Sequence, residues 1–312
     1  MTSADVGRGP SVPPDPDNTP PDEVVQGGTR KQIRKEQRRV LFTTPGFIIG
    51  MAILLFWIVS AVVPELITDI DPKLPVRNAD DQVLARESPN GDAWFGTDSI
   101  GRDVFSRTIH GARPILIVTP IATLIALVAG TLIGLTMGYF RGWADEVLSR
   151  LVESVLSIPT ILMAILVVFT FGKTDPVIIG TIALLFTPPI ARTVRAAAIS
   201  EAQLDYVTSA KMRGERSLFI IGREILPNIM GLLVVELTVR LGYAIFAVAT
   251  LAFLGLVGGD ITDPDWGIDV ANNWGKIVGD VWWPTIFPAL AIASLVIGVN
   301  LVADSIDRAT KS

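Results

Sequence analysis

Asp205-Tyr206-Val207-Thr208-Ser209-Ala210-Lys211-Met212-Arg213-Gly214, leading on to Ile225-Leu226-Pro227-Asn228, is the stretch on which the reading of this chain turns. It is a polar segment of about two dozen residues between two long apolar runs. Helix connections in bundles usually take about 2–8 residues, so a longer, patterned one reads as a surface offered to a soluble partner. The plainer reading is a connector lying on the membrane surface. Ser200 through Arg213 carries few helix breakers and puts Ala202, Tyr206, Ala210 and Met212 near one helical face. Gly214 stands where a helix can end in a left-handed cap. Leu218, Ile221 and Ile225 then recur at helical spacing, and Pro227 opens the next apolar run. The expectation is a helix, a glycine turn and a second helix, with the small residues Ser209 and Ala210 permitting close approach by a partner.

Outward from this loop the chain is apolar. Half of its 312 residues are hydrophobic and 18% are charged, against roughly 25% charged in soluble domains. The apolar residues gather into runs near the ~20 residues that cross a hydrocarbon core. Six spans are expected, near Pro45–Val63, Pro114–Tyr139, Val152–Phe171, Val177–Ala196, Ile229–Val257 and Thr285–Ala303. The fold class is therefore all-α, a polytopic membrane protein with six transmembrane helices.

Residues 1–29 are rich in Pro, Gly, Asp, Ser and Thr and read as a disordered tail. No apolar core follows a short basic start, so the tail does not read as a signal peptide. Residues 30–113 hold a basic flank, the first span and a long external loop; residues 114–312 hold a five-helix core with the cytoplasmic loop at 197–228. The flank Arg30-Lys31-Gln32-Ile33-Arg34-Lys35-Glu36-Gln37-Arg38-Arg39 puts the N-terminus in the cytoplasm. Six crossings return the C-terminus there. Arg192, Arg195, Lys211, Arg213, Arg216 and Arg223 then lie inside, while the loop from Gly258 to Pro284 sets five Asp against Lys276 outside.

Several chemistries lose support. There is no cysteine, which removes disulfides and thiolate chemistry, and a single histidine, His110, which makes a His-rich metal site implausible. Gly172-Lys173-Thr174 looks like the end of a phosphate loop, but Val167 stands where its first glycine belongs. No catalytic, cofactor or metal residues are assigned, and the basic residues are scattered or flank membrane runs, so nucleic acid is not a partner. Gly130, Gly134 and Gly138 form a small-residue ridge suited to a partner helix or to packing within the chain. Glu236 and Arg240 are four apart in the fifth apolar run, as a structural ion pair or as groups lining a polar path.

Just before the second span stands Phe95-Gly96-Thr97-Asp98-Ser99-Ile100-Gly101-Arg102-Asp103-Val104-Phe105-Ser106-Arg107. Thr97 and Asp98 can cap a turn, and Arg102 and Asp103 supply charges for local pairs. This Gly-Thr-Asp…Gly-Arg-Asp signature resembles the C-type permease subunit of dipeptide, oligopeptide and nickel ABC importers. The cytoplasmic loop is similar to that family's coupling loop at Gly214 and Ile225-Leu226-Pro227-Asn228, with Thr208-Ser209-Ala210 where Glu-Ala-Ala is usual. Leu251-Ala252-Phe253-Leu254-Gly255-Leu256, Pro264-Asp265-Trp266-Gly267 and Asn300-Leu301 with Asp304 agree with its later patterns. Glu224, Val248 and Asp307-Arg308 depart from it. At Val248 the family commonly has Glu, so that Glu is dispensable or a neighbour such as Glu236 or Arg240 replaces it.

The resemblance implies a type I importer permease fold in the cell inner membrane, with a helix at roughly Ser200–Arg216 that enters a cleft on an ATPase subunit. Ala202, Tyr206, Ser209, Ala210, Met212, Arg213 and Gly214 are the expected coupling residues. Gly96, Thr97, Asp98, Gly101, Arg102 and Asp103 are expected near the external entrance. The implied partners are a second homologous permease, two cytoplasmic ATPases, which would bind ATP and Mg, an extracytoplasmic substrate-binding protein and the bilayer. Nickel or another small solute is an alternative cargo. An ion-driven secondary transporter is an alternative class, although no convincing internal repeat is visible.

Overall fold

A computed structural model describes residues 44–311 apart from 92, 258 and 261. The expectations for the tail and for the basic flank at 30–39 lie outside the described residues. The described chain is helical with no strand; only three isolated bridges interrupt the turns of the first long loop.

Helix α1 is Pro45–Val62, started by a proline whose missing N–H costs nothing at a first turn. Pro64 follows its end. A short helix α2, Val104–His110, then leads into α3, Ala112–Phe140. With 29 residues α3 is about 44 Å long, enough to cross a membrane. It packs along α6, Asp175–Glu201. The glycine ridge lies in that contact: a Cβ on Gly130 would sit 2.7 Å from Ile190, one on Gly134 2.6 Å from the Ala191 carbonyl, and one on Gly138 2.5 Å from Ala198. The ridge thus serves packing within the chain, where bare backbone lets two apolar helices meet closely.

The third apolar segment differs from expectation. It is a pair, α4 over Trp143–Leu156 and α5 over Thr160–Phe171, meeting at 89°. Pro159 lacks an N–H and bars Ile158 from helical geometry, so the helix stops there. Helix α4 is amphipathic. Its Asp145 holds Arg195 of α6 through two bonds of 2.6 and 2.7 Å, while Trp143, Val147 and Leu151 are exposed. Helix α5 alone has 12 residues, about 18 Å, short of a ~30 Å core. Among the described residues, five helices are therefore long and apolar enough to cross a membrane, and a sixth apolar segment is bent.

The cytoplasmic loop contains α7, Asp205–Met212, and α8, Ser217–Ile220. It is followed by α9, Met230–Phe253; α10, Trp266–Asn273; and α11, Trp283–Lys311. Lys173 donates to the Gly255 carbonyl at 2.6 Å at one end of the bundle. At the other end the Lys211 ammonium lies 5.1 Å from the Tyr139 ring centre.

Candidate coupling loop and outer mouth

The cytoplasmic loop takes the expected form. Gly214 has φ +76°, and α7 closes with paired bonds from Gly214 N–H to the Lys211 carbonyl (3.0 Å) and from Glu215 N–H to the Ala210 carbonyl (3.2 Å). This is a glycine-dependent helix cap, because a side chain at that φ is strained. Helix α8 runs into a π-turn, Ile221–Ile225, where the Leu226 N–H reaches back to Ile221, and then into Leu226–Asn228. Pro227 has no N–H to offer the next carbonyl in an α pattern, and the wider turn accommodates it.

The structure divides the seven expected coupling residues. Met212, Arg213 and Gly214 are exposed, with Met212 77% exposed. Ala202, Tyr206 and Ser209 are half-buried, and Ala210 is fully buried with Val207. Ala210 and Met212 therefore do not share a face: both lie on α7, where residues two apart point to opposite sides, and α7 starts afresh at Asp205 after α6 ends at Glu201, so neither continues the face of Ala202. Leu218, expected on one stripe with Ile221 and Ile225, is instead 79% exposed while Ile225 is buried, and the π-turn between them accounts for the rotation. Leu204, Leu218 and Phe219 were missed as surface residues; their signal was an apolar side chain in a segment too polar to bury it. The loop is closed by Tyr206, whose hydroxyl donates to the Glu201 carboxylate and accepts from the Asn228 side-chain N–H at 2.9 Å. Burial, reinforced by Glu201, pushes the Tyr206 phenol up to about 12, so it remains a donor at neutral pH.

At the other end the motif residues build a rigid platform. Gly96 and Gly101 have φ +72° and +88°. Thr97 is buried, takes the Glu87 N–H on its hydroxyl at 2.9 Å, and offers its carbonyl to the Trp283 indole N–H at 2.9 Å. Asp98 grips Arg102 with bonds from Nε and Nη2, both 2.7 Å, and accepts its backbone N–H as well. Asp103 caps α2 by accepting from Ser106 N–H at 2.6 Å, and burial pushes its carboxyl up. Of the six, Thr97, Asp98, Arg102 and Asp103 are buried and face protein.

Arg107 is the residue that sequence reasoning passed over. It is 2% exposed and places all five of its N–H groups: on Asp269 through Nε (2.9 Å) and Nη2 (2.6 Å), and on the carbonyls of Pro72, Thr262 and Asp263. It thereby sews the first external loop to the second. Burial outweighs Arg107 and pushes the Asp269 carboxyl up to about 6. Trp266 reinforces the seam, donating to the Thr108 carbonyl at 2.7 Å and meeting Trp57 edge-on at 4.7 Å. Gly267 lets α10 press on α9, since a Cβ there would sit 2.5 Å from the Ala249 carbonyl.

Glu236 and Arg240 do pair, at 2.9 Å, with side chains 13% and 18% exposed, and the Arg240 guanidinium lies 5.9 Å from the Tyr243 ring centre. They cannot replace a carboxylate at Val248, because eight residues of α9 separate Arg240 from it, about 12 Å. Val248 instead lines an outer cavity of about 410 Å³ whose wall includes Asp175, Asp260 and Asp265.

Residues 130–312 match the family described as "Binding-protein-dependent transport system inner membrane component". The dipeptide transport system permease protein DppC of Alkalihalophilus pseudofirmus is 31% identical over 95% of this chain and 94% of its own length. That of Bacillus subtilis is 34% identical, covering 83% and 79%. The glutathione transport system permease protein GsiD of Pectobacterium atrosepticum is 36% identical, covering 70% and 72%. Among solved structures, an inward-facing MetNI methionine ABC transporter has a chain that aligns with TM-score 0.54 at 20% identity, covering 65% of this chain and 95% of that one. The last likeness concerns the fold.

Proposed function

This chain belongs to the binding-protein-dependent transport-system inner-membrane components, and from that premise we propose how, as a peptide-importer permease, it is driven. It serves an importer of dipeptides or oligopeptides in the inner membrane, as its relatives do by name. It pairs with a second permease of the same fold, and the transit path runs between them. Two cytoplasmic ATPases, which hold ATP and Mg, dock on the loops at 197–228, and an extracytoplasmic binding protein delivers cargo. The chain itself supplies no catalytic group.

One observation carries the mechanical part: the cytoplasmic loop is anchored from behind and apolar in front. Val207, Ala210, Ile220 and Ile225 are wholly buried, while Met212 and Leu218 project from either side of the Gly214 turn. Exposed apolar side chains on a fixed support are what a partner's cleft requires. The Tyr206–Asn228 bond ties the loop's first helix to the start of α9. A push on α7 therefore moves the inner ends of α6 and α9 together. At its outer end α9 carries α10, and α10 carries Asp269 to Arg107. Force entering at the loop reaches the external platform through packed helices and one buried ion pair. Alternating access follows when the ATPases close.

The test is reconstitution with and without partners. ATP hydrolysis stimulated by peptide-loaded binding protein, only in the full assembly, is the expected result. Uptake by this chain alone, driven by an ion gradient, would overturn the proposal.

A further inference from the structure

The outer cavity carries charges that the platform does not use. Its volume of about 410 Å³ falls within the roughly 300–1,000 Å³ usual for small-ligand sites. Its floor is apolar, where Val118 of α3, Ile178 of α6 and Val248 of α9 converge, all buried. Its rim is charged. The lining includes the basic residues His110 and Arg113 and the acidic residues Asp175, Asp260 and Asp265.

These groups do not neutralise one another. Lys73 and Asp263, also in the wall, pair at 2.5 Å and satisfy each other. Arg113 and Asp175 form no ion pair among the described residues. Asp265 is 4% exposed and accepts from Gly267 and Ile268 N–H through Oδ1 only, which leaves Oδ2 without a donor among the described residues. A carboxyl oxygen at the wall of a cavity that accepts no hydrogen bond from the protein can receive an ammonium group. An unpaired guanidinium on the same rim calls for an anion. A neutral solute would answer neither, and a simple ion only one.

We infer that this cavity receives a short peptide with free ends, Arg113 taking the carboxylate and the Asp260–Asp265 side the ammonium. The apolar floor takes a side chain without hydrogen bonds, so the site reads termini rather than sequence. The inference rests on the peptide-import reading above and adds to it a transit subsite within this chain.

The experiment uses proteoliposomes holding the complete complex and its binding protein, with labelled dialanine as cargo. Arg113→Gln and Asp260→Asn each raise the half-saturating concentration of loaded binding protein about tenfold, equal to ~1.4 kcal/mol. Arg113→Lys, which keeps the charge, stays within about twofold of the unaltered complex. Capture of the binding protein, followed separately by co-sedimentation, is unchanged in all three. Variants indistinguishable from the parent, a loss in only one of Arg113→Gln and Asp260→Asn, or a loss matched by weaker capture would each overturn the inference. In the last case the residues are docking contacts. Absence of dialanine uptake by the unaltered complex would instead strike the peptide reading itself.

Discussion

The Tyr206 hydroxyl and the Asn228 side-chain amide, 22 residues apart, meet at 2.9 Å and close the cytoplasmic loop into a ring. Asn228 is held in turn by the Glu224 carbonyl at 2.7 Å. Tyr206→Phe removes the hydroxyl at a half-buried site where water can reach the groups left behind, a cost of about 1 kcal/mol. The chain should still assemble with its partners. Peptide taken up per ATP hydrolysed should fall several-fold, because α6 and α9 no longer move as one. An unchanged ratio would mean that the ring is not part of the drive.

Met212 and Leu218 should behave oppositely to Ala210. The first two are exposed, so Met212→Asp or Leu218→Asp leaves the chain's thermal stability within about 0.5 kcal/mol. Each should nevertheless weaken ATPase capture at least about tenfold, since a charge enters an apolar cleft. Ala210→Asp buries an unpaired carboxylate and should lower stability by roughly 3 kcal/mol. Co-purification of the ATPases together with melting curves in detergent separates the two outcomes.

How far the sequence reaches is visible in these residues. Run length and the placement of Lys and Arg were enough for the apolar segments, and Gly214 announced its left-handed cap. The direction of Ala210 was not legible, because an eight-residue helix such as α7 repeats too few times for periodicity to fix its inward face. The break at Ser157-Ile158-Pro159 was masked by the hydrophobicity on both sides, although Pro159 was its local sign. Arg107 stood in a quoted motif, yet its carboxylate partner lies 162 residues away. Nothing local to either residue states that pairing. The cavity at Val248 has the same character: its acids, Asp175 on α6 and Asp260, Asp263 and Asp265, are brought together only by the fold.

The seam at Arg107 predicts a stability change with pH. The Asp269 carboxyl is held at about 6, above its ordinary 3.8, chiefly by burial. The folded protein therefore binds this proton more readily than the unfolded chain. The resulting stabilisation is full below pH ~4 and is lost as pH rises through about 6, up to about 3 kcal/mol. Asp269→Asn removes this contribution while keeping shape. Melting temperature measured from pH 7 down to pH 5 should rise more in the parent than in Asp269→Asn, and equal slopes would refute the assignment. Arg107→Met, which strands the buried carboxylate, should cost roughly 3–5 kcal/mol at pH 7, and less at pH 5, where the proton replaces the guanidinium.

The α3–α6 contact supplies a test with an internal control. A Cβ on Gly134 would lie 2.6 Å from the Ala191 carbonyl and 2.7 Å from Val194 Cβ, and neither can move without separating two long helices. Gly134→Ala should therefore cost about 1–3 kcal/mol through overpacking, and Gly134→Leu should prevent stable accumulation in the membrane. Gly180 lies on α6, the other helix of the pair, but nothing stands within 4 Å of its Cβ position. There the same change to Ala only restricts the unfolded chain and fills helical backbone with a better helix former, a gain of about 0.5–1 kcal/mol. Detergent melting of the two Ala variants side by side decides the point. If Gly134→Ala melts with Gly180→Ala, the ridge is not set by packing within this chain, and the partner permease becomes the surface it was made to meet.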